Sequence, residues 1–387
     1  MPELSPVAAT GPMHHEEHTI FRARHAAIAL TCAAALAGGV TACSAAKQIS
    51  AAEKVNTAFD KLGETKSLTV KFSLDATPAQ LLAMDKLEPS DTPLTSAESK
   101  QISGLGASLT FSADKPLKDA FGKTKTVDGQ LDAAVDIDLE VHAGDGKPLA
   151  ELRSIGGTEY VRVDVDAIVK LGGDSATADE INGMEKEFDQ LPPSFAALKS
   201  LLKGKWVSID SKKLEGVTKG LGDTAGTPSA APTLDPSTQN KLVSALTGVF
   251  SRDVTLTDKG TVNGRDRIVV EAPAQKLVAD VQKAVAPIAK GIPAIGGNFP
   301  TAAPTGVATG KASADILIAK DGSLSELSMD LGQLDPKAAA AKAQVPVSVS
   351  FDAKAAPTTA PAGAVAFDPT VLQDLLKSFA GSNPLAG

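Results

Sequence analysis

Two periodicities share this chain. The strictest alternation of apolar and polar positions runs from Gln130 to His142. There Leu131, Val135, Ile137, Leu139 and Val141 interleave with Asp132, Asp136, Asp138, Glu140 and His142. A strand with one apolar and one polar side buries one face and leaves the other in water, which is the mark of an antiparallel sheet. The same pattern appears at Leu68–Asp75 (Leu68, Val70, Phe72 and Leu74 on one side) and at Ala107–Ser112 (Leu109 and Phe111). Asp145-Gly146 and Gly156-Gly157 are hairpin turns that predict strands over Pro148–Ile155 and Thr158–Val165. Further strands are predicted at Lys205–Asp210, Asp253–Thr257, Arg265–Glu271, Ala312–Ala319 and Ser323–Leu331. A last one carries Val345, Val347, Val349 and Phe351 on one face.

Helical spacing separates these strands. Ser50 and Glu53 form a capping-box pattern ahead of Val55, Phe59 and Leu62, and Gly63 is placed to close that helix. Ile181, Met184, Phe188 and Leu191 form the inner stripe of a helix over 178–191, and Phe195, Leu198, Leu201 and Leu202 that of one over 194–202. Asp235-Pro236 starts another helix, with Leu242, Val243, Leu246, Val249 and Phe250 inward, and Leu277, Val278, Val281, Val285 and Ile288 mark one over 273–289. Residues 76–104 read as a polar insertion with a short helical piece around 79–87, a candidate lid. Residues 222–233 and 291–310 read as Gly/Pro-rich loops. After a Pro/Ala/Thr linker at 353–364, Val371, Leu372, Leu375, Leu376 and Phe379 give a short amphipathic helix. Docking of that helix on the domain is favoured over lying on a membrane or meeting a partner.

The N-terminal segment changes where all of this is expected to reside. Arg22 and Arg24 precede a run of small apolar residues from Ala26 to Val40, which is too short for a membrane span but normal for a signal-peptide core. The run ends in Val40-Thr41-Ala42-Cys43, a lipobox-like string that offers Cys43 for diacylation. The expected organisation is a signal segment with an unstructured extension at 1–42 and a lipidated tether at 43–49. An α+β domain follows at 50–352, then the linker and terminal helix at 353–387. The expected place is the cell membrane, on its outer face, held by diacylglyceryl-Cys43.

Composition removes several function classes. Without residues 1–42 the chain keeps 36 bases and 43 acids, a net charge of −7 spread without long runs of one sign, so nucleic acid is not an expected partner. Cys32 lies in the signal core, and His14, His15, His18 and His25 all precede the cleavage point. The mature chain therefore has no disulfide and one histidine, His142, read as a solvated surface residue. No catalytic residue, cofactor or metal site is expected, and the protein is read as no enzyme. The acidic stripe Asp132/Asp136/Asp138/Glu140 lacks the glycine-turned loop of known calcium motifs and reads as a solvated sheet face.

The order of elements, with Val40–Cys43, the helix-then-strand opening at 50–75, Gly157-Thr158-Glu159-Tyr160-Val161-Arg162, Lys205-Trp206-Val207-Ser208-Ile209-Asp210 and the Val262-Asn263-Gly264-Arg265 turn, resembles the LppX/LprAFG-type envelope lipoproteins. The resemblance covers most of 50–352 as a pattern. It implies a LolA-like α+β fold: a curved antiparallel sheet, a half-barrel, with helices packed on its concave side around an apolar cavity that holds acyl chains. The wall of such a cavity would draw on Phe72, Leu74, Phe111, Val135, Ile137 and Leu139 from the sheet, and Leu198, Leu202, Leu246 and Phe250 from the helices. The chain is longer than that family's pattern through 76–104, 222–235, 291–310 and the tail. A lipid-anchored carrier of lipids or another apolar ligand is one reading. An envelope interaction or sensory module with a packed core, meeting an envelope protein partner, is the other. Alternation alone cannot report whether the interior is filled.

Overall fold

The computed structural model of the protein describes residues 46–87, 93–121, 135–172, 193–210, 212–213, 236–289, 306–369 and 371. Its centre is one curved, unclosed sheet of twelve strands. The first meander contains β1 (Ser67–Leu74), β2 (Gly106–Ser112), β3 (Asp136–His142), β4 (Pro148–Ile155), β5 (Thr158–Val163) and β6 (Val207–Asp210). The second contains β7 (Thr255–Val262), β8 (Arg265–Pro273), β9 (Lys311–Ile318), β10 (Leu324–Asp330) and β11 (Pro346–Asp352). The meanders join where β11 pairs antiparallel with β1, in the register Phe72↔Val349 and Leu74↔Val347. The α+β class and antiparallel sheet expected from the alternation are what the chain forms, with one exception at the edge. A short strand, β12 (Val365–Phe367), adds parallel to β6.

Helices crowd the second meander. Helix α1 (Ala46–Gly63) lies on β7, β9 and β10 and presents Ala51, Ala52, Val55, Ala58 and Leu62, all buried. Three alanines on this stripe let the helix axis approach the sheet closely. Ile268, Ile316 and Leu324 beneath it have between zero and 1 % of their surface exposed. Two further helices, α7 (Pro236–Asp253) and α8 (Ala274–Ala289), pair with each other and add Phe250, Leu277, Val281 and Val285 to the same core. Asp253 and Asp280 accept from both Arg252 and Lys276, and Lys276 beside Asp280 holds that carboxyl down at about 2. Lys54 of α1 reaches Asp258 at 2.8 Å and Asp266 at 2.9 Å, tying helix to hairpin.

Several boundaries differ from expectation for local reasons. Helix α1 begins at Ala46, so Ser50 lies inside it rather than capping it. A full capping box instead starts α3 (Ser96–Ile102), where Thr95 accepts from the Glu98 amide and Glu98 from the Thr95 amide. With α2 (Pro78–Leu87) it fills the polar insertion. Strand β7 runs to Val262 because a bulge absorbs Lys259 and Gly260, and the turn is Asn263-Gly264 with φ of 51° and 76°. Besides α3, three short helices were not foreseen: α4 (Leu117–Phe121), α5 (Val165–Gly172) and α9 (Pro336–Ala341), the last capped by Asp335 with Pro at its start. Helix α6 (Ala196–Leu202) stands as expected. The expected helix over 178–191, the loop at 222–233, most of that at 291–310 and the terminal helix beyond Val371 lie outside the described residues.

Residues 353–364, expected as a linker, run across the polar side of the first meander to reach β12. Ser67 donates to the Ala356 carbonyl at 3.4 Å, the Thr358 amide donates to Ser112 Oγ at 3.0 Å, and Arg153 donates to the Thr359 carbonyl at 3.1 Å. The Val365 amide then donates to the Trp206 carbonyl at 2.9 Å.

Candidate functional site, the open apolar face

The register of the first meander sorts its side chains without ambiguity, because neighbours in a sheet share a face and successive residues do not. One row across the strands reads Val70, Leu109, Leu139, Leu152, Val161, Val207. The row on one side reads Phe72, Ala107, Val141, Ala150, Val163. The row on the other reads Leu68, Phe111, Ile137, Ser154, Glu159, Ile209. With strands about 4.8 Å apart, the central row is about 24 Å long. At its middle, the directly paired Leu139 and Leu152 are 36 % and 41 % exposed. Two adjacent leucines left open at the centre of a β-sheet face are informative in a way that one scattered surface leucine is not.

Helix α4 sets the border between the covered and the open face. It contacts α1, buries Leu117 and Ala120, and places Phe121 edge-on to Phe111 with ring centroids 5.5 Å apart. Phe121 is itself 39 % exposed, so it extends the apolar surface rather than sealing it. At the far edge α6 packs on β5, β6 and β12.

Of the expected wall, Phe72, Leu74, Phe111, Ile137 and Leu139 share this face, and Val135 is buried just before β3. Leu198 and Leu202 sit half-buried on α6, at the edge of the same meander. Phe250 is not brought to them: it is 6 % exposed inside the filled core under α1. Leu246 lies on α7, with its side chain outside the described set, and Cys43 lies outside the described residues. Leu152, Val161 and Val207 were missed. In PLAELRSI the buried Leu149 on the opposite side breaks the alternation, but the two-residue turn Gly156-Gly157 pairs Ile155 with Thr158 and so Leu152 with Val161.

The opposite side of β3–β5 is closed and ionic. Arg153 Nε lies 3.0 Å from Asp138, Arg162 pairs with Glu151, and the two guanidinium groups sit 4.9 and 5.3 Å from the Trp206 ring. Glu151 is 5 % exposed, and burial pushes the Asp138 carboxyl up despite Arg153. Of the stripe expected to be solvated, Asp136, Asp138 and Glu140 are half-buried, and Asp132 lies outside the described residues. His142, also expected in solvent, is half-buried, with its ring where a Cβ on Gly106 would lie, 2.5 Å from Cε1. Among the described residues no three His, Cys, Asp or Glu side chains are grouped to hold a metal. Surface pockets of about 450 and 510 Å³ lie in the second meander, one beside α9 with Lys311, Asp330 and Lys342, the other around Lys54, Asp266 and Lys320. None of the expected wall residues lines them.

No family model and no curated protein matches this sequence. Among solved structures, the crystal structure of LprF from Mycobacterium bovis aligns over 83 % of this chain and 100 % of that chain, at 11 % identity and a TM-score of 0.29. This is a distant likeness, and the open face stands on the register and exposures above. Among the described residues no helix is long and apolar enough to cross a membrane.

Proposed function

We propose that this protein is a lipid-anchored envelope protein that binds a lipid or another apolar ligand on the open face of β1–β6, and that it is no enzyme. One observation carries the reading: the paired Leu139 and Leu152 are exposed at the centre of an apolar row that spans six strands. Burying such a row would contribute about 25 cal/mol per Å² of apolar area removed from water. The LprF likeness and the lipobox-like string at Cys43 agree with this reading, and the anchor would put the face outside the membrane that supplies its ligand.

Native mass spectrometry of the protein purified from its own host is the direct test, with retained lipid expected. Leu139→Asp and Leu152→Asp should each abolish retention while leaving the unfolding midpoint nearly unchanged. Strong destabilisation by both, with no apolar ligand on the wild type, would favour the packed interaction module. For the anchor, Cys43→Ala should release the chain or leave it unprocessed. A processed Cys43→Ala protein that remains on the membrane overturns that part.

A further inference from the structure

Across the described strands of the open face, from β1 to β6, every inward position is Ala, Val, Leu, Ile or Phe except two neighbours, Ser154 and Glu159. They pair across the β4–β5 hairpin, and Ser154 Oγ donates to Glu159 Oε1 at 2.7 Å. The serine satisfies one carboxylate oxygen and holds the side chain at the hairpin end of the rows. The guanidinium groups of the same two strands cannot offset this charge. Arg153 and Arg162 occupy the alternate positions, on the other side of the sheet, engaged with Asp138, Glu151 and Trp206.

An apolar track with one charged end selects its ligand by sign. A hydroxyl or ammonium group can donate to Glu159, whereas a phosphate or carboxylate brought to the same place meets a like charge at reduced dielectric. Resting on the open-face reading, we infer that Glu159 determines specificity there. The occupant is a single-tailed or neutral amphiphile whose polar end is a hydrogen-bond donor, uncharged or cationic, with its chain along the rows and its polar end at the Ser154–Glu159 pair.

Three probes of one chain length separate the possibilities: dodecylamine, dodecanol and dodecanoate, each titrated at pH 7.5 against the full chain by displacement of a fluorescent fatty alcohol. The amine should bind tightest and the carboxylate weakest, with about fivefold or more between them, the range of a partly exposed ion pair. Glu159→Gln keeps an oxygen to accept from Ser154, so the fold is preserved, and it should bring amine and carboxylate to within about twofold. Glu159→Lys should reverse their order. Equal affinities in the wild type, or an order unchanged by Glu159→Gln, overturns the assignment while the open-face reading stands. Binding of none of the three by the wild type overturns both.

Discussion

The two meanders are one sheet with two fates. Both present mainly apolar side chains on the same face, continuous through the β1–β11 pair. Over β7–β11 that face meets α1, α7 and α8, and Ile268 and Ile316 are fully buried. Over β2–β5 it reaches the open side, and Leu139 and Leu152 keep more than a third of their surface. The strands do not differ in kind; among the described residues, the supply of helices does. Helix α1 precedes β1 in sequence yet lies on β7, β9 and β10, so the first meander gives its own helix to the second. A stable core and an unfilled apolar surface thus coexist without competing for the same residues.

The comparison can be broken most forcefully from the filled side. Ile316→Ala should cost about 2–5 kcal/mol in urea unfolding, because the site is enclosed on all sides and cannot collapse fully. Leu152→Ala, an equally drastic truncation, should cost less than about 1 kcal/mol. Similar losses at the two positions would mean that the first meander is filled as well.

A smaller effect tests what holds the closed side of the first meander. Arg153→Gln removes the cation beside Asp138 and the contacts to Trp206 and the Thr359 carbonyl. A loss of about 1–3 kcal/mol is expected, much of it from Asp138 left without its partner. Limited proteolysis should then cut within 353–364 earlier than in the wild type. An unchanged digestion pattern would show that the Ser67 and Ser112 contacts and the β12–β6 pairing secure the crossing without Arg153.

The smallest effect concerns the tie between α1 and the β7–β8 hairpin. Lys54 holds the Asp258 and Asp266 carboxyls below their usual range, and its own ammonium above. A depressed carboxylate contributes stability that is present above its unfolded value near 4 and is lost as the pH falls through its folded value. Lys54→Met should therefore cost about 0.5–1 kcal/mol at pH 7, given the partial exposure of the pair, and progressively less below about pH 4. A cost that stays constant from pH 7 to pH 3 would contradict the pairing.

The alternation at Asp136–His142 and the hairpin glycines were enough to specify strands, faces and an antiparallel sheet, because a period of two assigns each residue to a side regardless of what lies above it. Pattern also located Phe72, Leu74, Phe111, Ile137 and Leu139 on one face. What pattern could not carry was destination. Phe250 and Leu139 look alike as members of apolar stripes, but one is at 6 % exposure and the other at 36 %. The difference arises from contacts between residues far apart in the chain: α1 crossing to the second meander, β11 inserting beside β1, residues 353–364 returning to β6. Leu152 and Val161 became part of the face only through register, and Asp138 is half-buried through its cross-strand pairing with Arg153. Local spacing decides which side of a strand a residue takes. Only the tertiary structure decides whether that side is covered.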